Sequence, residues 1–437
     1  MEKIIINDFC GIKKIDVDLA HITVLIGPQA SGKSVCAKSL YFFKRFIVEM
    51  RFAIEEQKTK KDFDEGQIRK FEEYFPSQSG TANFSLRYEF DGVSGERFFI
   101  QIEKGEKGTG LKISHSVVLK DIFEDLKKEY KRISSTYITD DAGRDYKSTV
   151  EFEKAYRKIL NKHLVKDDTF QLFIPAGRSF FGILQSSIFS FLATNTAVID
   201  PLLKNFGSYY ENVKNTERRR GYPENLTKSK KDVRFFGLVT KVNFLVNKIL
   251  KGDYVSERGK DFLVSEDGRK TNLANASSGQ QETLPLALIL KSLLFRTRGS
   301  IRGATIYIEE PEAHIFPAAQ KQIIQLISLV FNASKENIPY QFLITTHSPY
   351  ILTSLNNLLL AGKLASKLRG AKKKELLNII DSDMTLNITN IQCYSLKDGL
   401  SASIISSENE LIESDIIDEV SDDLSSEFDK LLELEYR

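Results

Sequence analysis

Residues 27–34 read Gly27-Pro28-Gln29-Ala30-Ser31-Gly32-Lys33-Ser34, directly after the apolar run Ile22-Thr23-Val24-Leu25-Ile26. This is the pattern G-x-x-x-x-G-K-[ST] placed between a strand and a helix, which marks a phosphate-binding loop. Beyond it, Leu40, Phe43, Phe46, Ile47 and Met50 recur at helical spacing and predict a helix from Lys33 to about Glu55. In such a loop backbone N–H groups converge on phosphate oxygens, and the helix N-terminus adds partial positive charge. The eight residues are the candidate nucleotide cradle. Lys33 would bridge the β- and γ-phosphates, and the Ser34 hydroxyl would hold Mg2+, a hard ion that prefers oxygen.

Three further motifs follow in order. Residues 276–282 read ASSGQQE and open a stretch rich in Leu and Ile. Two serines and a glycine at a helix start form a second anion-binding end. One phosphate cradle is already supplied, so Ser277, Ser278, Gly279 and Gln280 suit the γ-phosphate of a nucleotide held by another subunit. Residues 305–312 read TIYIEEPE, a buried strand ending in two acids. Glu309 is the candidate Mg2+ ligand, directly or through water, and Glu310 the candidate group that polarises the attacking water. Residues 342–348 read FLITTHS, a second apolar strand whose end presents His347. Ligands of parallel nucleotide-binding sheets sit outside the carboxyl ends of the strands, which places His347 to sense a γ-phosphate.

The bulk numbers fit this reading. A chain of 437 residues exceeds one compact core, so two or three lobes are expected. Hydrophobic content of 41% and charged content of 28% are those of a globular protein, and a net charge of +3 does not by itself argue for nucleic acid. Three scattered cysteines, Cys10, Cys36 and Cys393, offer neither a disulfide framework nor metal spacing, and point to a reducing, cytoplasmic setting. The start MEKIIINDF lacks a signal-peptide apolar region. The uncharged stretch Ser179 to Ile199 carries Gln185, Asn195 and several Ser and Thr, so it reads as buried helix rather than a membrane span.

The remaining pattern predicts strands at 2–8, 14–19, 83–90, 97–103, 111–118 and 170–175, with turns at Gly11, Asp91-Gly92 and Gly108 to Gly110. Residues 57–70 read as a solvated helix or connector, and 120–166 as charged helix broken near Asp140-Gly143. Strands bracket Arg258-Gly259 and Asp267-Gly268, and a hairpin turns at Lys397-Asp398-Gly399. Basic residues cluster at 214–234 and at Lys372-Lys373-Lys374. The tail from Glu408 to Arg437 holds twelve acids and two bases around an apolar stripe. About 240 residues separate Ser34 from Ala276 without a sustained heptad run, which excludes a long coiled-coil insert.

The order GPQASGKS, ASSGQQE, IYIEEPEAHIFP, TTHSPYIL resembles the ABC-type ATPase head, in the branch holding RecF, SMC proteins and OLD-like ATPases. The resemblance implies an α/β fold: a P-loop mixed sheet with an antiparallel β subdomain and inserted helical lobes. It divides the chain into 1–118, an N-terminal lobe; 119–168, a helical insertion; 169–270, a linker lobe; 271–400, the second ATPase lobe; and 401–437, an acidic helix. It implies ATP and Mg2+ as ligands, slow hydrolysis, and a head-to-tail pair in which Lys33 of one copy and Ser277 of the other touch one nucleotide. The family's signature LSGGQ corresponds to Ala276–Gln280 and departs from it at Ala276 and Ser278, so Ser277 and Gly279 carry over best. The family's Q-loop glutamine should follow the strand at 170–175, where Pro175-Ala176-Gly177-Arg178 stands instead. Arg178 is the candidate there, contacting nucleotide or coupling the lobes, with Gln171 and Gln185 as weaker alternatives. The layout is similar to stand-alone ATPases of two-gene anti-phage systems of the PARIS and Septu kinds. About 90 residues follow His347, too few for a Toprim nuclease, so the expected effector is a separate protein, a nuclease or toxin, answering a phage-encoded trigger. The alternative is a RecF-like DNA-binding ATPase of repair or maintenance. No membrane partner is expected.

Overall fold

The computed structural model describes residues 2–76, 83–105, 110–136, 144–164, 170–184, 200–219, 230–257, 259–296, 303–334, 340–413, 426 and 429. The chain opens with a meander of β1 (Glu2–Phe9) and β2 (Ile12–Leu19), then β3 (Ile22–Ile26) and α1 (Lys33–Glu55). The β1–β2 turn passes through Cys10 and Gly11, both at positive φ. Next come α2 (Lys60–Tyr74), β4 (Phe84–Asp91), β5 (Arg97–Lys104), β6 (Lys112–His115), α3 (Val117–Thr136), α4 (Arg144–His163), β7 (Gln171–Ile174) and α5 (Ser179–Leu184). The second half holds α6 (Pro201–Arg219), α7 (Lys230–Leu250), β8 (Asp253–Glu257), β9 (Lys260–Val264), β10 (Lys270–Asn272), α8 (Ser278–Arg296), β11 (Thr305–Glu309) and α9 (Pro317–Ser334). It closes with β12 (Gln341–Thr346), α10 (Pro349–Lys367), α11 (Gly370–Ile379), β13 (Ile391–Lys397) and β14 (Leu400–Ser403).

Among the described residues eleven strands form one mixed sheet in the order β6-β5-β4-β1-β2-β14-β13-β3-β12-β11-β7. One half, from β6 to β2, is antiparallel. The other half is parallel: β13 with β3, β3 with β12, β12 with β11, and β11 with β7. The hairpin β13–β14 joins the halves, antiparallel within itself and parallel to β2 at Leu400 and Lys14. Its two-residue turn puts Asp398 and Gly399 at φ 54° and 80°, the backbone such a tight hairpin requires. The antiparallel subdomain is thus continuous with the nucleotide-type sheet. Strands β10, β9 and β8 make a separate small antiparallel sheet.

Side chains alternate across the parallel half. Leu172, Ile174, Ile306, Ile308, Phe342 and Ile344 enter one core, shared with α6 to α10. Phe173, Tyr307 and Leu343, their sequence neighbours, enter the core on the opposite face, shared with α1, α3 and α4. There Tyr41 of α1 sits edge-on to both Phe173 and Tyr307. The pair α3–α4, predicted as an inserted lobe, shares this core with the N-terminal strands. Tyr156 donates its hydroxyl to the carbonyl of Ile47 at 3.2 Å, and Arg51 pairs with Glu153.

Helix α2 corrects the reading of 57–70 as solvated. A Thr59–Asp62 capping box starts it, and Phe63, Gln67 and Phe71 form a narrow buried stripe at intervals of four. Phe71 stacks into a group with Phe9, Phe42, Phe75 and Phe84. Of the uncharged stretch 179–199, α5 is helical with Phe181 buried, and 185–199 lie outside the described residues. The acidic tail beyond 413 lies outside them too, apart from 426 and 429. Among the described residues no helix is long and apolar enough to cross a membrane.

Candidate nucleotide site

Because β7, β11, β12 and β3 run parallel, their C-terminal ends meet along one edge, and all the strand-end motifs stand there. The loop 27–34 leaves β3 with Ala30 at φ 60° and Gly32 at φ 93°. Both glycines are required by space. A Cβ on Gly27 would lie 2.1 Å from the carbonyl oxygen of Leu396, and one on Gly32 would lie 2.6 Å from Cγ1 of Ile12. Lys33 is 6% exposed and donates from Nζ to the carbonyls of Gly27 and Pro28, both at 2.7 Å. Burial pulls its ammonium below the usual lysine range, opposed by the nearby carboxylates of Glu310 and Glu312.

Glu309 closes β11 and is buried. Burial pushes its carboxyl above the usual range, opposed by the adjacent Ser34 hydroxyl, Lys38 and the N–H of Ala176. Its Oε1 is buried without a hydrogen-bond partner among the described residues, as are Oε2 of Glu312 and Oγ1 of Thr345. These three oxygens lie at or just beyond the ends of two adjacent strands, where a cationic or donor-rich ligand would satisfy them. Ser34 and Glu309 fit Mg2+ by donor chemistry. Among the described residues no cluster of three or more His, Cys, Asp or Glu could hold a metal. A metal here leans on phosphate oxygens and water, the habit of Mg2+.

Glu310 adopts φ 42°, in the left-handed region that disfavours side chains. Its N–H donates to the carbonyl of Thr345 at 2.9 Å, which ties it to β12. The side chain is partly exposed, with Oε1 3.9 Å from Nδ1 of His347. His347 also lies 3.2 Å from Oε1 of Glu312, a buried acid that the sequence reading passed over inside the motif it quoted. A cavity of about 530 Å3 opens beside His347, lined among others by Glu312, His314, Phe316 and Tyr350.

Ser277 precedes α8 and forms a reciprocal box with Gln280. Its hydroxyl donates to Oε1 of Gln280 at 3.1 Å and accepts the Gln280 N–H at 3.3 Å. Gln280 also donates to the carbonyl of Leu250 at 2.8 Å. Gly279 has a structural reason as well, since a Cβ there would lie 2.7 Å from the carbonyl of His314. Ser277 and Ser278 are exposed. Among the described residues none of the motif's hydrogen bonds reaches the loop 27–34.

Arg178, the candidate that follows β7, turns its guanidinium to protein groups. It is 0% exposed, its guanidinium donates to the carbonyls of Pro175, Glu282, Glu309 and Glu310, and Nη2 lies 3.2 Å from Oε1 of Glu282. These partners lie on the segment after β7, the end of β11 and the first turns of α8. Glu282 is the partner the sequence reading missed, because nothing in the spacing links it to Arg178. Of the other Q-loop candidates, Gln171 is buried and accepts the Tyr307 hydroxyl at 2.8 Å, and Gln185 lies outside the described residues. Lys214, first of the basic stretch 214–234, is buried in a salt bridge with Asp261, so it offers nothing to nucleic acid.

The family model for an AAA domain, putative AbiEii toxin, Type IV TA system, matches residues 22–353. No curated protein matches the chain. Among solved structures, the recombination mediator protein RecF with ATP, of the RecFOR pathway, aligns over 92% of this chain and 98% of its own at 11% identity, with a TM-score of 0.34. A second structure, of RecF-ATPrS, aligns over 92% of this chain and 97% of its own at 11% identity, with a TM-score of 0.29. Such scores are too low to transfer any property. The family match spans well over half the chain and includes the loop, the paired acids and His347. The chain is an ATP-binding P-loop protein and belongs to the AAA-domain family described as putative AbiEii toxin of type IV TA systems.

Proposed function

We propose that this chain hydrolyses ATP slowly with Mg2+, in a head-to-tail pair of copies, and that the ATP-held pair controls a separate effector protein in anti-phage defence. One observation carries the reading: the loop 27–34, Glu309, Glu310 and His347 converge at one edge of the sheet, beside buried oxygens without partners. Gly27–Ser34 would cradle the phosphates with backbone N–H groups, and Lys33 would swing from its loop carbonyls to the phosphate oxygens. Ser34 and Glu309 would hold Mg2+, which neutralises charge on the phosphates when bound. Glu310 would take a proton from the attacking water at its carboxylate. Glu312 anchors Nδ1 of His347 and leaves Nε2 to meet the γ-phosphate.

The second copy enters because Ser277 and Ser278 are exposed, and Ser277 bonds to Gln280 rather than to its own chain's loop. Phe316 and Tyr350, 79% and 52% exposed beside the His347 cavity, suit a face that a partner copy covers. ATP that binds only the closed pair stabilises it by mass action. The effector role draws on the family's link to TA systems and on the OLD-like form of the motifs.

The test is Mg2+-dependent ATP turnover of the wild type beside Lys33→Ala, followed by capture of bound proteins from the native host with ATP-loaded Glu310→Gln chain as bait. Turnover lost in Lys33→Ala, and one partner protein held with ATP but not ADP, supports the proposal. A wild type that binds ATP but never turns it over contradicts it. Capture of DNA with steeply salt-dependent affinity and no protein favours the RecF-like alternative.

A further inference from the structure

One guanidinium joins three parts of the site. Nη1 of Arg178 donates to the carbonyls of Glu309 at 2.7 Å and Pro175 at 2.9 Å. Nη2 donates to the carbonyl of Glu310 at 3.0 Å and lies 3.2 Å from Oε1 of Glu282. Nε donates to the carbonyl of Glu282 at 3.2 Å. Glu282 returns the grip: Oε1 accepts the Arg178 N–H at 2.9 Å, and Oε2 accepts the Ser179 N–H at 2.7 Å, at the start of α5. Both side chains are fully buried.

The two ends of this pair lead to different places. Glu282 sits in the first turns of α8, a short way from Ser277, which caps that helix. Arg178 holds the carbonyls of both strand-end acids, and Glu310 among them is kept at φ 42°. A left-handed residue with a side chain is strained and persists only where its surroundings impose it. Here the imposing groups are the Thr345 carbonyl on one side and Arg178 on the other. A buried ion pair serving stability alone is replaceable by well-packed apolar groups. This one spends its donors on the backbone of the residues that would face water and metal.

We infer that Arg178 and Glu282 are positioning residues that carry engagement of the α8 N-terminus, at Ser277, to the backbone of Glu310. A shift of α8 moves Glu282, Glu282 moves the Arg178 fork, and the fork sets whether Glu310 is held in its left-handed conformation. Ser277 occupied from outside and Glu310 aligned inside then become one event. The inference rests on the ATPase reading above.

The test measures kcat, ATP Kd and thermal unfolding for the wild type, Ser277→Ala, Glu282→Gln, Arg178→Lys and the double variant Ser277→Ala/Glu282→Gln. The expected result is a kcat lower by about tenfold or more in Glu282→Gln and Arg178→Lys, with ATP Kd changed less than about threefold. The double variant should be no slower than the slower single, because both changes break one chain of contacts. Wild-type kcat in a folded Glu282→Gln overturns the inference. So does an ATP Kd weakened in proportion to kcat, or losses that multiply in the double variant. Failure of both Glu282→Gln and Arg178→Lys to fold overturns it as well, by assigning the pair to the core alone. A wild type without turnover removes the ATPase reading and this inference together, an outcome distinct from a working wild type with indifferent variants.

Discussion

Nδ1 of His347 lies 3.2 Å from Oε1 of Glu312, and the same oxygen accepts the His347 N–H at 2.8 Å and the Thr346 hydroxyl at 2.7 Å. One buried carboxylate oxygen therefore fixes the ring and the backbone beneath it. A carboxylate at Nδ1 keeps the proton there and reserves Nε2 for a ligand. Glu312→Gln is expected to lower kcat by about tenfold to a hundredfold while ATP Kd stays near wild type. Steady-state rates and equilibrium binding on the same preparation check this. An unchanged kcat would remove Glu312 from the site.

Glu310→Gln keeps size and leaves the backbone bonds to Thr345 and Arg178 in place. Loss of the carboxylate removes the proton acceptor alone. Turnover is expected to fall by about a hundredfold or more, with ATP still bound, in single-turnover experiments. Hydrolysis at the wild-type rate would take the role away from Glu310.

Glycine substitutions separate cradle from scaffold. Gly27→Ala drives a Cβ against the Leu396 carbonyl, a backbone atom that cannot step aside. It is expected to cost about 1–3 kcal/mol of stability and to weaken ATP binding. Gly66, inside α2, has nothing within 4 Å of an added Cβ. Gly66→Ala is expected to stabilise by about 0.5–1 kcal/mol with ATP affinity unchanged. Chemical denaturation of both variants makes the comparison, and equal effects would contradict it.

The buried pair of Lys214 on α6 and Asp261 on β9 predicts a pH-dependent contribution to stability. Burial alone would raise the Asp261 carboxyl, but Lys214 at 3.0 Å, with the Tyr254 and Ser256 hydroxyls, holds it below the usual carboxylate range. A depressed native pKa gives stability that is present above the unfolded value and lost as pH falls through the native one. Asp261→Asn should therefore unfold at lower temperature than wild type at pH about 7, and the gap should close below pH about 4. A gap that stays constant with pH would mean the ion pair is not its source.

Much of the fold could be read from the chain because its signals were local. Helix α1 runs from Lys33 to Glu55 as its apolar spacing predicted, and the parallel strands were short apolar runs ending in polar motifs. The α2 stripe escaped notice because three buried positions sit among many charges. The sheet's continuity across β14 was invisible for another reason: one parallel pairing between residues 14 and 400 leaves no trace in local pattern. At the site, strand-end acids and the glycine loop announce themselves by spacing. The Arg178–Glu282 pair does not, being a contact between residues 104 apart whose only sequence mark is an arginine where a glutamine was sought.

The central claim is that two copies complete each ATP pocket, and mixing two dead variants tests it most directly. Lys33→Ala lacks the loop lysine and Ser277→Arg blocks the α8 end, so neither alone should turn over ATP. In an equal mixture, half the pairs are mixed and each has one intact pocket, so activity should return to about a quarter of wild type. A mixture as inactive as its parts, beside a wild type whose specific rate is the same at every protein concentration, would contradict the account.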